Sequence, residues 1–387
     1  MRGNAVDRNQ TTRHMKFSVS SAELLRSVLT VQKAIPSKAA EAILEDYLFE
    51  LEGTTLTITA SDTEITLRTV LQVADVEQEG RIAVAAKQLT ELLKELPDQP
   101  LTISNMNENS FSCAWASGES VLPCFNPDDY PVIKSAGGEA WSISLSSQTL
   151  AEGIADTVYA SSDDDNRPNM NSIFFDIKPD GTTLVASDLQ KLICFRTKAV
   201  KAACDCSFLL NKRHANVVKS ILGKEDEEVK VVFDSKYAVF SFAQTTAICC
   251  LVSGKYPDYN SIIPKNNTNV LTISRTQFLN SVRRITVCSP KASNHVKFEM
   301  TAGSIEISAQ DLGLEIAAHE KVSCSYEGDD LSIGFRANHI IEILSNLSCE
   351  NVIIRFADKR RSALILPDGD EDAVNKVFGI VMPIMVK

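Results

Sequence analysis

Phe17-Ser18-Val19-Ser20, Ile143-Ser144-Leu145-Ser146 and Leu271-Thr272-Ile273-Ser274 are three versions of one signal. Alternation of apolar and small polar residues predicts a short strand, and the closing serine stands where a helix N-cap accepts a backbone N–H. The residues that follow keep helical spacing: Leu24 and Val28, Leu150 and Ile154, Phe278 and Val282. The starts are separated by 126 residues (17 to 143) and 128 residues (143 to 271). Three equal units follow, and longer landmarks recur with the same period.

A second strand-then-helix signal recurs in the same register at 82–96, 208–222 and 333–347. Its expected core faces are Leu89, Leu92 and Leu96, then Ala215, Val218 and Leu222, then Ile340, Ile343 and Leu347. Ala60-Ser61-Asp62, Ala186-Ser187-Asp188 and Ala309-Gln310-Asp311 close an apolar strand in each unit. Within a unit the two signals lie 65, 65 and 62 residues apart (17 to 82, 143 to 208, 271 to 333), so each unit reads as a duplicated half. Alternating segments such as 55–71, 173–177 and 229–242 lie between the helices, punctuated by turn residues. The expected fold is α+β: three repeated domains at 15–140, 141–268 and 269–387, each with two helices packed on antiparallel sheets. Residues 1–14 read as a disordered N-terminal extension.

Composition narrows the function. A chain of 387 residues with 44% hydrophobic and 23% charged residues is long enough for several cores. No apolar run approaches the roughly 18 residues of a membrane span, and the first fourteen residues lack a secretory core, so a cytoplasmic location is expected. The ten cysteines lack metal-site spacing and read as strand or core positions. His214 and His339 occupy equivalent helix positions and read as half-exposed surface residues. No phosphate loop, zinc helix or nucleophile elbow occurs, so no catalytic residue, metal or cofactor is expected. The run Asp163-Asp164-Asp165 is the best candidate for metal-dependent phosphoryl transfer, but its setting between serines and Asn-Arg-Pro is that of a solvated loop.

Met15-Lys16-Phe17, the run Gly254-Lys255-Tyr256-Pro257-Asp258-Tyr259, then Ile263-Pro264-Lys265-Asn266, Cys349-Glu350-Asn351 and Val381-Met382-Pro383-Ile384 carry a family likeness. From Met15 onward the chain resembles the β subunits of bacterial DNA polymerase III, the sliding clamps. The resemblance implies a head-to-tail homodimer whose six domains form a ring around duplex DNA, with helices lining the hole. It also implies partners: the replicative polymerase, the clamp loader and other proteins with clamp-binding motifs. A monomeric protein that kept the fold but not the ring is the main alternative.

A net charge of −11 stands against a nucleic-acid partner unless the charges are segregated. The helical segments at 20–33, 86–96, 146–158, 211–224, 274–286 and 336–347 together carry +6, leaving −17 elsewhere. Candidate phosphate contacts are Arg26, Lys33, Lys87, Lys94, Lys212, Arg213, Lys219, Arg275, Arg283 and Arg284. Such contacts position double-stranded DNA without reading its sequence. For the peptide groove, the resemblance points to Met170, Ser187, Leu192, Pro257, Ile262, Ser362, Val381, Met382, Pro383 and Ile384. Family members often carry Thr-Asp-Gly-His-Arg-Leu where this chain has Ser187-Asp188-Leu189-Gln190-Lys191-Leu192. At the groove rim Lys191 would then keep the charge but lose the arginine fork.

Overall fold

Each strand signal runs directly into a helix in the computed structural model, which describes residues 15–36, 38–107, 109–369 and 373–385. The extension expected at 1–14 lies outside the described residues. Strand Lys16–Ser20 leads into α1 (Ser21–Val31), and Gly80–Ala85 into α2 (Ala86–Glu95). Trp141–Ser146 leads into α3 (Ser147–Val158), and Cys206–Asn211 into α4 (Lys212–Ile221). Asn269–Ser274 leads into α5 (Arg275–Thr286), and Leu331–Arg336 into α6 (Ala337–Asn346). The duplicated half is therefore physical, with two helices per repeat.

The apolar pairs that announced α1, α3 and α5 are all buried. Ser20 caps α1 through its hydroxyl, which accepts from the Glu23 N–H, whereas Ser274 makes no side-chain cap. Two core faces differ from expectation. In α2 the buried leucines are Leu89 and Leu93, with Leu92 and Leu96 only half-buried, because the helix turns its 3.6-residue stripe one position further round. In α4 the core takes Ala215, Val218 and also His214, which is 3% exposed rather than a surface residue, while Leu222 follows the helix half-buried.

The aspartates that close the strands build the same turn in each repeat. Asp62 Oδ1 accepts from the N–H groups of Glu64 and Ile65, and Asp188 Oδ1 accepts from those of Gln190 and Lys191. In the third repeat Asp311 Oδ1 accepts from Gly313 and Leu314. A short carboxylate that satisfies two turn N–H groups makes a sharp hairpin, in the first two repeats without a glycine. The residue after the aspartate in the first two turns is left-handed, Thr63 at φ 78° and Leu189 at φ 74°.

The chain forms two compact units, Met1–Ser147 with Ser220–Leu251 and Gln148–Lys219 with Val252–Lys387. The first is built on a 13-stranded sheet, the second on a nine-stranded and a four-stranded sheet, all with antiparallel pairing. The middle repeat divides between them. Its strands Trp141–Ser146 and 228–250 extend the sheet of the first repeat, where Thr245–Cys250 pairs with Ile65–Gln72. Its strands 172–211 extend the sheet of the third, where Lys191–Thr197 pairs with Asn375–Val381. Helices pack in pairs, α1 on α2 in the first unit and α5 on α6 in the second. In the third repeat Phe278, Phe298, Phe335 and Phe356 form a chain of tilted rings 5.3–6.4 Å apart, the packing that aromatic quadrupoles favour.

Of the cysteines, Cys113, Cys124, Cys194, Cys206 and Cys249 are buried as expected, but Cys204 is exposed in the loop before its strand. Among the described residues no helix is long and apolar enough to cross a membrane.

Candidate partner groove and cationic helix surfaces

Strand Lys191–Thr197 is paired on both sides, from Leu192 onward with Gly181–Ser187 and along its whole length with the C-terminal strand Asn375–Val381. Its register sets Leu192 opposite Ile380 and Cys194 opposite Phe378. Because side chains alternate between faces, these four residues share one face of the sheet. Met170, Val185, Leu209, Tyr256 and Tyr259 complete a buried cluster with them, flanked by Phe174, Ile263, Leu364 and Leu366. The Phe174 and Tyr256 rings stack at 4.9 Å. The chain then leaves the sheet along a fixed path, the Met382 N–H donating to the Gln190 carbonyl at 2.9 Å and the Ile384 N–H to that of Gly334 at 2.8 Å.

Of the groove residues expected from the family likeness, Met170 and Leu192 belong to this cluster, Ser187 stands opposite Leu192 and Val381 follows Ile380. Met170, Ser187, Leu192 and Val381 are buried, Ile262, Ser362, Pro383 and Ile384 half-buried, and Pro257 and Met382 exposed. Ser187 is spent within the hairpin, its hydroxyl donating to the Lys191 carbonyl and accepting from the Leu189 N–H. Sequence reading missed Phe174, Tyr256, Phe378 and Ile380. For Phe174, Phe378 and Ile380 the signal was strand alternation, which marks a face but not what the face packs against, whereas Tyr256 lies in a loop and has no period to mark it.

Lys191 is not at the rim. It is 7% exposed, 2.7 Å from Asp188 and 3.0 Å from Glu342 of α6. Burial opposes the charge on both Asp188 and Lys191. Their mutual hydrogen bond and attraction, together with the turn N–H groups on Asp188 and with Glu342 on Lys191, outweigh it in sum, holding the Asp188 carboxyl below and the Lys191 ammonium above their ordinary pKa values. His339 Nε2 lies 3.9 Å from Asp188, and burial lowers its pKa. Leu189, where the family often has glycine, is half-exposed and bears a left-handed backbone that costs a β-carbon roughly 1 kcal/mol.

The ten cations proposed for DNA differ in setting. Arg26, Lys87, Lys94 and Arg213 are exposed on their helices, with Lys219 half-buried. Lys33, Lys212, Arg283 and Arg284 are solvent-accessible but engaged: with the Ser220 carbonyl at 2.5 Å, Asp163 at 2.6 Å, the Ser345 hydroxyl at 3.0 Å and Glu320 at 2.9 Å. Arg275 has a structural task, since its guanidinium donates to the carbonyls of Cys349 at 2.8 Å and Leu344 at 3.0 Å, at the C-terminal end of α6. That end carries partial negative charge from its free carbonyls. The acidic run is engaged as well: Asp163 holds Lys212, Asp164 accepts from Asn166, and Asp165 accepts from Asn171.

Family comparison accounts for nearly the whole chain. The models of the DNA polymerase III beta subunit match here in chain order: the N-terminal domain at residues 15–134, the central domain at 144–258 and the C-terminal domain at 260–383. The beta sliding clamp of Halalkalibacterium halodurans is 26% identical over 381 residues, covering 95% of this chain and 99% of the relative. That of Pseudomonas putida is 22% identical over 360 residues, covering 93% and 98%. The crystal structure of the Pseudomonas aeruginosa sliding clamp bound to griselimycin superposes with a TM-score of 0.91 at 22% identity, over 96% of this chain and 100% of the other. The Bacillus subtilis clamp gives 0.89 at 22% identity, over 97% and 100%. The chain belongs to the DNA polymerase III beta subunit family.

Proposed function

We propose that the protein is a DNA sliding clamp: a homodimeric ring that encircles duplex DNA without sequence preference and tethers the replicative polymerase, the clamp loader and other peptide-motif partners. The observation that carries this reading is the sixfold strand-to-helix signal, with positive charge concentrated on the helices of a chain whose net charge is −11. In this reading the domains are 15–140, 141–268 and 269–387, the helices line the hole, and the acidic remainder keeps the outer surface from binding DNA. The exposed cations Arg26, Lys87, Lys94 and Arg213 would meet the phosphates first.

Three domains per chain close a six-domain ring only by pairing with a second chain, and a closed head-to-tail contact is the stable alternative to a filament. Open strand edges support contact between the first repeat of one chain and the third of the other. Strand Gly118–Phe125 meets Gly80–Ala85 at only two residue pairs, and Ile316–Ser323 ends its four-stranded sheet. The cluster around Leu192 and Ile380, with Met382 and Pro257 at its surface, would receive the apolar segment of a partner peptide. Methionine suits a surface that accommodates several partners.

Light scattering at micromolar concentration should give a mass of two chains; a stable mass of one chain would leave the monomeric reading. Protein loaded onto nicked circular DNA should survive a high-salt wash and leave when the circle is cut. A binder held by phosphate contacts alone would be lost from circles and linear DNA alike, its affinity falling with salt with a log–log slope of about −0.9 per phosphate.

A further inference from the structure

The sheet face that carries the groove cluster changes character along its length. On strand Lys191–Thr197 the residues of this face run Leu192, Cys194, Arg196, and on Asn375–Val381 the partners opposite them run Ile380, Phe378, Lys376. Two apolar rows are thus followed by a cationic one. Thr183 and Asp176 continue that row across the next two strands. A cavity of about 470 Å³ opens at this end, with Lys178 and Lys198 joining Arg196 and Lys376 in its wall.

The cavity and the groove share parts. Tyr259 belongs to the buried cluster and also lines the cavity with Asn260. Both come from the short 3-10 turn Tyr259–Ser261, which lies between the groove candidates Pro257 and Ile262. The Arg196 guanidinium sits over the Phe378 ring, 4.9 Å from its centroid, which fixes the cation beside the apolar floor. Asp176 does not neutralise the pocket alone, because its carboxylate accepts from the Tyr259 hydroxyl at 2.6 Å and pairs with Lys178 at 3.0 Å. Among the described residues, Arg196, Lys198 and Lys376 have no carboxylate within ion-pair distance, and Asp180 is the acid in the wall, with Asp176 beside it on the same sheet row.

We propose that this pocket is a charged extension of the groove, taking the carboxylates of an acidic stretch that flanks the apolar segment of a docking peptide. The inference rests on the groove reading above. An extended chain rises about 3.3 Å per residue, so the four positions from Leu192 to Arg196 span roughly 13 Å. Acidic residues about four positions from the apolar anchor therefore reach the cations. One or two carboxylates fit a site that already holds Asp176 and Asp180, whereas the denser charge of a phosphate backbone would be repelled by them.

The test uses the clamp-binding segment of the cognate replicative polymerase as a fluorescein-labelled peptide, extended at either end by three Asp or by three Asn residues. Fluorescence anisotropy is read with the full-length protein and with an Arg196→Gln, Lys376→Gln double variant, and thermal melting checks the fold. At one end, the Asp extension should bind the unsubstituted protein roughly fivefold tighter than the Asn extension, the scale of two or three exposed ion pairs. That gain should shrink with salt and vanish in the double variant, while the Asn-extended peptide binds both proteins alike. Arg196→Lys keeps the charge and should retain most of the gain. Equal affinity of Asp and Asn peptides at both ends, or a gain that persists in the double variant, overturns the proposal and leaves the groove standing. Failure of the Asn-extended peptide to bind the unsubstituted protein removes the groove and the extension together. Weakened duplex-DNA binding by the double variant, with no change in peptide discrimination, would make the pocket a phosphate site and overturn the proposal equally.

Discussion

Lys191 and Glu342 form a 3.0 Å ion pair that joins the hairpin beside the groove to α6. The ammonium is buried and also holds Asp188, so two carboxylates from two elements depend on one side chain.

Lys191→Ala should therefore destabilise the protein more than an ordinary surface change. Removing one partner of a fully buried pair costs about 3–5 kcal/mol, but the Asp188 and Glu342 side chains are 20% and 45% exposed, so roughly 2 kcal/mol is expected although the paired Glu342 oxygen is buried. Glu342→Gln, which leaves Asp188 on Lys191, should cost under about 1 kcal/mol. Urea unfolding of the two variants measures the difference; equal small losses would place Lys191 in solvent.

Asp46 gives a pH dependence of definite sign. It is 6% exposed, and burial, with the nearby Glu45 charge, raises its pKa from 3.8 to about 6. Between these values the folded state binds the proton that the unfolded state has lost, so this group destabilises the fold as pH rises from about 4 through 6. Asp46→Asn should stabilise the protein by about 2 kcal/mol at pH 8 and by little at pH 4. Denaturation midpoints of both proteins at the two pH values check it; a gain independent of pH would assign the effect to packing.

Arg275 separates stability from DNA binding. Arg275→Ala strips two carbonyls of a charged donor and should cost about 2 kcal/mol, read as a lowered melting temperature. Arg26→Ala, Lys87→Ala and Arg213→Ala should each change stability by less than about 0.5 kcal/mol. Combined, they should reduce the salt slope of duplex binding by about 0.9 for each phosphate that is no longer neutralised.

Removal of residues 382–387 should abolish binding of the polymerase peptide and leave the dimer intact. It takes away exposed Met382 and the hydrogen bonds of Met382 and Ile384 to Gln190 and Gly334, but leaves strand Asn375–Val381 paired. Unchanged peptide affinity in an anisotropy titration would move the docking site elsewhere, and loss of the dimer by light scattering would put the terminus in the ring contact.

The sequence by itself determined the local units. Leu24 with Val28 and Phe278 with Val282 declare helices because burial of one face imposes its period on neighbouring residues, and Asp62, Asp188 and Asp311 declare turns because each satisfies N–H groups two and three positions on. Only the tertiary structure decided which strands meet. The Cys250 N–H donates to Glu64 and the Met382 N–H to Gln190, the same bond in two sheets, with partners 186 and 192 residues apart (64 to 250, 190 to 382). That pairing places the strands of one repeat in two units. Contacts between distant segments also draw Lys191 inward to Glu342 and commit Arg275 to two carbonyls, although both residue types read as surface charge. A buried cation is stable only where carboxylates or carbonyls from distant segments converge on it, and such convergence leaves no periodic trace along the chain.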